Sequence, residues 1–312
     1  MLNTGKRSFY GRHTYLLKII KTFIIVLVAA FAVTASFFFV SKIKNGVSNE
    51  KSELLQIWNI GDYEKAYNIS KKALLQRPVD YFLLTINGFS AYQLGISQIN
   101  SQNMLFFIDE CIFSLRKAMI NKNSSNDGRV YYVLGKAYGY KGDEYSDLAV
   151  KYLEIANNMS YEAADIPEYL GLAYAAAGDY RSSVAAFTQA FAPDKLPSDN
   201  LLLSIARSYM AMEDYSMASG YLKHCMEISP DSKSVVIARF LLAEIQMKTG
   251  DYFGAEDLYI SVLNDYGENA EVHYQLGELY NLQGDTTRAR AEWRIAYRQD
   301  PAHARARARL NI

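Results

Sequence analysis

The chain of 312 residues is half apolar and a fifth charged, with 33 basic residues against 33 acidic ones. The balance is uneven: residues 1 to 45 hold seven bases and no acid, leaving a mildly acidic body that gives no reason to expect nucleic-acid binding. Two cysteines, Cys111 and Cys225, exclude a disulfide framework and a four-ligand zinc site.

The first predicted element is apolar. Residues 22 to 41, TFIIVLVAAFAVTASFFFVS, carry no charge, and as a helix they would extend about 30 Å, the thickness of a bilayer core. Five bases precede them and two follow, a bias that places a basic tail, residues 1 to 21, in the cytoplasm and everything after a linker at 42 to 46 on the far side. The segment is read as a retained single-pass transmembrane anchor, with a cleaved signal peptide (cleavage residues Val33 and Ala35) as the alternative. Phe37 to Val40 continue the apolar run past that site. The expected setting is a bacterial inner membrane, with the body in the periplasm.

Downstream, one turn recurs. Gly-Asp-Tyr stands at Gly61, Gly178 and Gly250, with near copies at Gly142, Glu213 and Gly284. Counting Gly95, the gaps between turns are 34, 47, 36, 35, 37 and 34 residues. Glycine accepts the left-handed conformation that ends a first helix, and the aspartate after it can cap a second. Each turn therefore predicts a two-helix hairpin, and stacked hairpins share a core that one unit could not bury. Small residues at Gly135, Gly171, Ala206, Ala243 and Gly277, read as facing Ala149, Ala218, Ala255 and Ala289, let paired helices approach, while Tyr138, Tyr174, Tyr209 and Tyr280 fill the wider gaps.

The last unit carries the most specific signal. Leu276, Gly277, Tyr280, Gly284, Ala289, Trp293, Ala296 and Pro301 fall at positions 7, 8, 11, 15, 20, 24, 27 and 32 of their unit, and this resembles the tetratricopeptide repeat. Units opening at Gly128, Ala164, Asp199 and Val236 follow with substitutions, notably Glu213 for the turn glycine. The units from Val47 and Tyr81 match more weakly. The resemblance covers residues 47 to 303 and implies an all-α, right-handed solenoid of about seven hairpins behind one transmembrane helix. Residues 304 to 312 would cap its open end. The segment from Gly95 to Glu110 lengthens one unit; Met104 to Ile108 are expected to extend its second helix, with a partner-binding lip as the alternative.

No catalytic or nucleotide-binding motif is present: there is no phosphate loop, dinucleotide fingerprint, His-Glu-x-x-His or nucleophile elbow. His273, at an inward position of its unit, reads as a core histidine, and no metal or cofactor is expected. The cysteines lie three units apart and should not pair. The arginines at 288, 290, 294, 298, 305, 307 and 309 read as a solvated end cap, or alternatively as an anion-binding surface.

In tetratricopeptide proteins, positions 2, 5, 9 and 12 of the first helices line a concave groove. By that resemblance the partner-binding residues are Phe82, Phe89, Tyr92, Arg129, Tyr132, Lys136, Glu168, Asn200, Arg207, Phe240, Glu244, Tyr274, Glu278 and Asn281. Gly139, Asp165 and Leu172 fall on the same positions. The groove reads as aromatic, then basic, then mixed, and acidic at its far end. The expected function is that of a non-catalytic, membrane-anchored scaffold for a protein or peptide partner, in secretion, envelope assembly or division. An envelope glycan-binding protein, or an enzyme with an unrecognised site, is the competing reading.

Overall fold

The computed structural model describes residues 49–120, 127–191 and 196–312. These residues form helices and no strand. Residues 49–59 make α1, followed by α2 (Tyr63–Leu74), α3 (Tyr81–Ile96), α4 (Ser101–Met119), α5 (Gly128–Lys141), α6 (Ser146–Asn158), α7 (Ile166–Ala176) and α8 (Tyr180–Gln189). The remainder are α9 (Asp199–Ala211), α10 (Tyr215–Ile228), α11 (Ser232–Thr249), α12 (Tyr252–Tyr266), α13 (Ala270–Leu282), α14 (Thr286–Gln299) and α15 (Ala304–Leu310). Odd and even helices pair into seven hairpins, and α15 closes the series.

Five connections share one mechanism. Gly61, Gly178, Gly250 and Gly284 take φ values of 79 to 83°, and Glu213 takes 61° in the same role. The next residue caps the second helix: Asp62 accepts from the amide of Lys65, Asp179 from Ser182, Asp214 from Met217, Asp251 from Gly254 and Asp285 from Arg288. Two connections differ. Gly95 is not a turn residue; it lies inside α3, where a Cβ would stand 3.1 Å from Ile108 of α4. The reversal falls later, with Asn100 capping α4, and the additional residues make α4 a 19-residue helix. At Gly142 (φ 136°) a 3-10 turn, Asp143–Tyr145, intervenes before α6.

Close approach holds each hairpin together. A Cβ on Gly88 would stand 2.6 Å from Leu115, and one on Gly135 would stand 2.5 Å from Leu153, where carbon atoms need about 3.5 to 4.0 Å. Gly171 lies in the same way beneath Phe187, and Gly277 beneath Trp293. The sequence reading set small residue against small residue; the structure sets the glycine of the first helix under a large side chain of the second. Each second helix also packs on the first helix of the following unit, and α3, α5, α7, α9 and α11 touch one another in succession. The first helices therefore line the inner face of the stack.

Among the described residues, no helix is long and apolar enough to cross a membrane. The segment expected to span one, 22 to 41, and its flanking tail and linker lie outside the described residues. The most apolar stretch described, α3, has 16 residues, about 24 Å of helix, and it is buried by its neighbours rather than available to lipid. The expected localisation, a single-pass membrane protein with an extracytoplasmic solenoid, is corrected on this finding.

The Glu213 turn gives a direct test. A non-glycine residue in the left-handed region costs roughly 1 to 2 kcal/mol, of which glycine's own chain entropy offsets about half. Glu213→Gly should therefore raise unfolding stability by about 0.5 to 1 kcal/mol, and Gly178→Ala should lower it by a similar amount, read from urea midpoints.

Candidate functional site

Lys136 anchors the inner face at the third hairpin. It is only 9% exposed, an unusual state for a lysine unless its charge is paired. Its ammonium donates to the Tyr132 hydroxyl and to Asp165 Oδ2, both at 2.9 Å, and Tyr132 donates to the same carboxylate at 2.8 Å. It also lies 4.0 Å from the ring centroid of Tyr169, 4.8 Å from that of Tyr132 and 5.8 Å from that of Tyr92. Tyr132 and Lys136 are one turn apart on α5, and Asp165 precedes α7, so the cluster joins adjacent hairpins.

The electrostatics follow from the geometry. Burial works against ionisation of Asp165, but the hydrogen bonds from Lys136 and Tyr132 outweigh it and hold the carboxyl below its usual range. Burial likewise disfavours the Lys136 cation, and its bonds to Tyr132 and Asp165 more than compensate, raising its pKa. Burial, with the Asp165 bond, pushes the Tyr132 phenol up to about 12. A lysine held protonated this firmly is a fixed charge and not a nucleophile or base, both of which need a lowered pKa.

Beside this pair is a hollow of about 370 Å³ between α5, α6 and α7. Gly139, Leu153, Ala173 and Ala176 line it, and the side chains of Tyr140 and Leu172, both exposed, contribute apolar surface to its wall. A wider depression of about 620 Å³ lies among α11, α12 and α13, bordered by Phe240, Glu244, Met247, Tyr259, Leu282 and Arg305.

The other expected groove residues divide. Arg129, Asn200, Arg207, Glu244 and Asn281 are exposed, and Phe82, Glu168, Phe240 and Glu278 are partly so. Phe89, Tyr92 and Tyr274 are buried, so the aromatic row is a packed layer and not an open surface. Arg129 lies over Phe89 at 4.6 Å, and Lys51 over Phe82 at 5.2 Å. The acidic far end is occupied by the chain itself. Arg305 of α15 binds Glu271 at 2.6 and 2.7 Å and covers Tyr274 at 4.7 Å, while Arg309 grips Glu278 through a 2.8 Å Nε bond and a second, shorter one. His303 caps α15 by accepting from the Ala306 amide, which leaves its Nε2 hydrogen for Glu271 at 3.1 Å.

Tyr140 and Tyr169 were missed by the sequence reading. The spacing of Tyr132, Lys136 and Tyr140, each four residues apart, was the available signal. His273 is buried between Glu292 (2.6 Å) and Glu268 (2.9 Å), and among the described residues no group of three or more His, Cys, Asp or Glu side chains could hold a metal ion. Cys111 and Cys225 are buried free thiols. Of the arginine cluster, Arg288, Arg305 and Arg309 are paired with acids.

Comparison with known proteins supports the fold. Residues 201–235, covering most of α9, all of α10 and the start of α11, match the tetratricopeptide repeat family. Over 104 residues the chain is 31% identical to Protein CTR9 homolog of Arabidopsis thaliana; the match takes in 33% of this chain and 10% of that protein, so the chain spans about a tenth of the length of this relative. Among solved structures, the C-terminal part of a TPR repeat-containing protein from Cytophaga hutchinsonii aligns with a TM-score of 0.59 at 15% identity, over 84% of this chain and 100% of that one. A tetratricopeptide repeat protein from Parabacteroides merdae gives 0.53 at 16%, over 84% and 98%. PilW, a type IV pilus biogenesis factor, gives 0.56 at 16%, over 72% and 98%. At such identities the likeness concerns the fold, an all-helical solenoid of the tetratricopeptide type.

Removing the Lys136 charge tests the cluster. Lys136→Met should cost about 1 to 2 kcal/mol at neutral pH, below the 3 to 5 of a fully buried broken pair because Asp165 is 40% exposed. Asp165 has a depressed folded pKa, so its contribution is present above the ordinary carboxylate value and lost as pH falls through the folded value. Lys136 has a raised one, so its contribution is complete below the ordinary lysine value and lost as pH rises through the folded value. The difference between wild type and variant in urea titrations should therefore be widest near neutrality and narrow toward both extremes.

Proposed function

We propose that the chain is a non-catalytic tetratricopeptide scaffold that holds a protein or peptide segment against its inner face, centred on α5 and α7. The hollow beside Lys136 supports this reading most. It is largely apolar, sized for one or two side chains, and bordered by exposed Tyr140 and Leu172 next to a rigid charge pair whose hydrogen bonds fix its shape. Its lining comes from two successive hairpins, so the stacking that builds the core also builds the site. The glycan alternative depended on a row of open aromatic rings, and Phe89, Tyr92 and Tyr274 are buried. No catalytic motif supports the enzyme alternative, and burial pushes the Cys111 and Cys225 thiols up, away from the reactive thiolate form.

Gly139 offers a clean test. It is exposed, lines the hollow, and has nothing within 4 Å of where its Cβ would stand. Gly139→Leu should fill the site and, since leucine is the better helix former by roughly 0.8 kcal/mol, should not lower the melting temperature. Peptides selected on the wild-type protein from a displayed random library should bind the variant at least about tenfold more weakly, a loss near 1.4 kcal/mol. Unchanged binding would contradict the assignment.

A further inference from the structure

The outer face of α4 carries more exposed large apolar side chains than that of α6. On α6 it presents Asp147, Lys151, Glu154 and Asn157, all polar. On α4 it presents Leu105, Phe106 (54% exposed) and Phe113 (64%), continued by Ile120 (84%) at the C-cap. At 100° per residue these side chains, with Asp109 and Arg116, fall on one stripe about 100° wide. Phe106, Phe113 and Ile120 recur every seven residues, the spacing at which a helix presents a continuous seam to a partner helix. The Nζ of Lys71 lies 5.9 Å from the Phe106 centroid and that of Lys117 lies 5.7 Å from the Phe113 centroid, covering the rings from the side without closing the face.

The order of residues along the stripe is self-complementary. Set antiparallel to itself about a two-fold axis through Phe113, α4 brings Phe113 against Phe113, Phe106 level with Ile120, and Asp109 level with the basic Arg116 and Lys117 of the other copy. A two-fold interface requires this arrangement, in which each residue meets its counterpart and the relation is returned. Asp109 already accepts from Lys141 at 2.6 Å through Oδ1, yet its side chain remains 57% exposed and can accept a second cation. We infer that α4 is a self-association helix, through which two copies of the chain pair back to back by their outer faces. The inner face of each copy stays open. This inference is independent of the proposed inner-face function, because α4's exposed stripe and the α5–α7 hollow share no residue.

Sedimentation and position-specific crosslinking of the full chain test the inference. The wild type should be a dimer with a dissociation constant on the order of micromolar, as befits an interface near the small end of stable ones. Phe113→Arg should weaken it at least about thirtyfold without altering the circular dichroism spectrum. Asp109→Arg should weaken it as well, and the double exchange Asp109→Arg with Arg116→Asp should recover it. Under mild oxidation Phe113→Cys should form a covalent dimer, and Lys223→Cys, exposed on α10, should not. A wild type that is monomeric at 100 μM, a dimer that survives Phe113→Arg, or crosslinking at position 113 to another protein with none between copies would each overturn the inference.

Discussion

The whole architecture depends on how near two helices of a hairpin can come. At Gly88, Gly135, Gly171 and Gly277 the first helix has no Cβ, and the space is filled by Leu115, Leu153, Phe187 or Trp293 from the second. This lets the second helix drop a large apolar group onto bare backbone, where dispersion contacts are densest. Ala149, Ala255 and Ala289 lie in the same tight layer, with at most 1% of their surface exposed. Once the hairpins are narrow, the first helices of neighbouring units touch, and a continuous inner wall results.

Several tyrosines tie adjacent hairpins together. Tyr81 donates to Asp127, ahead of α5, at 2.8 Å, and Tyr132 donates to Asp165, ahead of α7, at 2.8 Å. In both cases the ring packs between units and the hydroxyl ties one hairpin to the start of the next. Tyr67, Tyr174 and Tyr280 reach Glu110, Glu154 and Glu256 in a comparable way. A buried tetrad at the second hairpin serves the same purpose with smaller groups. Asn87 donates to the Tyr67 carbonyl and to Ser70 and accepts from Ser114, so its amide is satisfied at both ends. Around Lys136 the inner face is thus polar in composition but internally paired.

Much of the fold was legible because its determinants are local. A left-handed glycine followed by a capping aspartate is a five-residue signal, and it located the turns at Gly61, Gly178, Gly250 and Gly284, as well as the Glu213 substitute. At Gly142 the following aspartate opens a 3-10 turn and makes no cap, and Gly95, counted by spacing with no aspartate after it, serves helix contact against the distant Ile108. The groove was less legible for the same reason. Position counting found Lys136 and Tyr132 but could not show that Asp165 neutralises the lysine. Nor could it show that Arg305 and Arg309, more than thirty residues beyond Glu271 and Glu278, fold back onto them. Charge listed along a sequence does not reveal which charges cancel in space.

The measurement that bears most directly on this account is a double-mutant cycle on Gly171 and Phe187. If the glycine is required because the ring occupies its Cβ position, Gly171→Ala alone should cost about 1 to 3 kcal/mol through overpacking. Shortening the ring in Phe187→Leu should relieve that strain, so that the double variant loses at least about 1 kcal/mol less than the sum of the single losses. Losses that add to within about 0.3 to 0.5 kcal/mol would show that the two residues do not share the contact, and the close-approach constraint would fall.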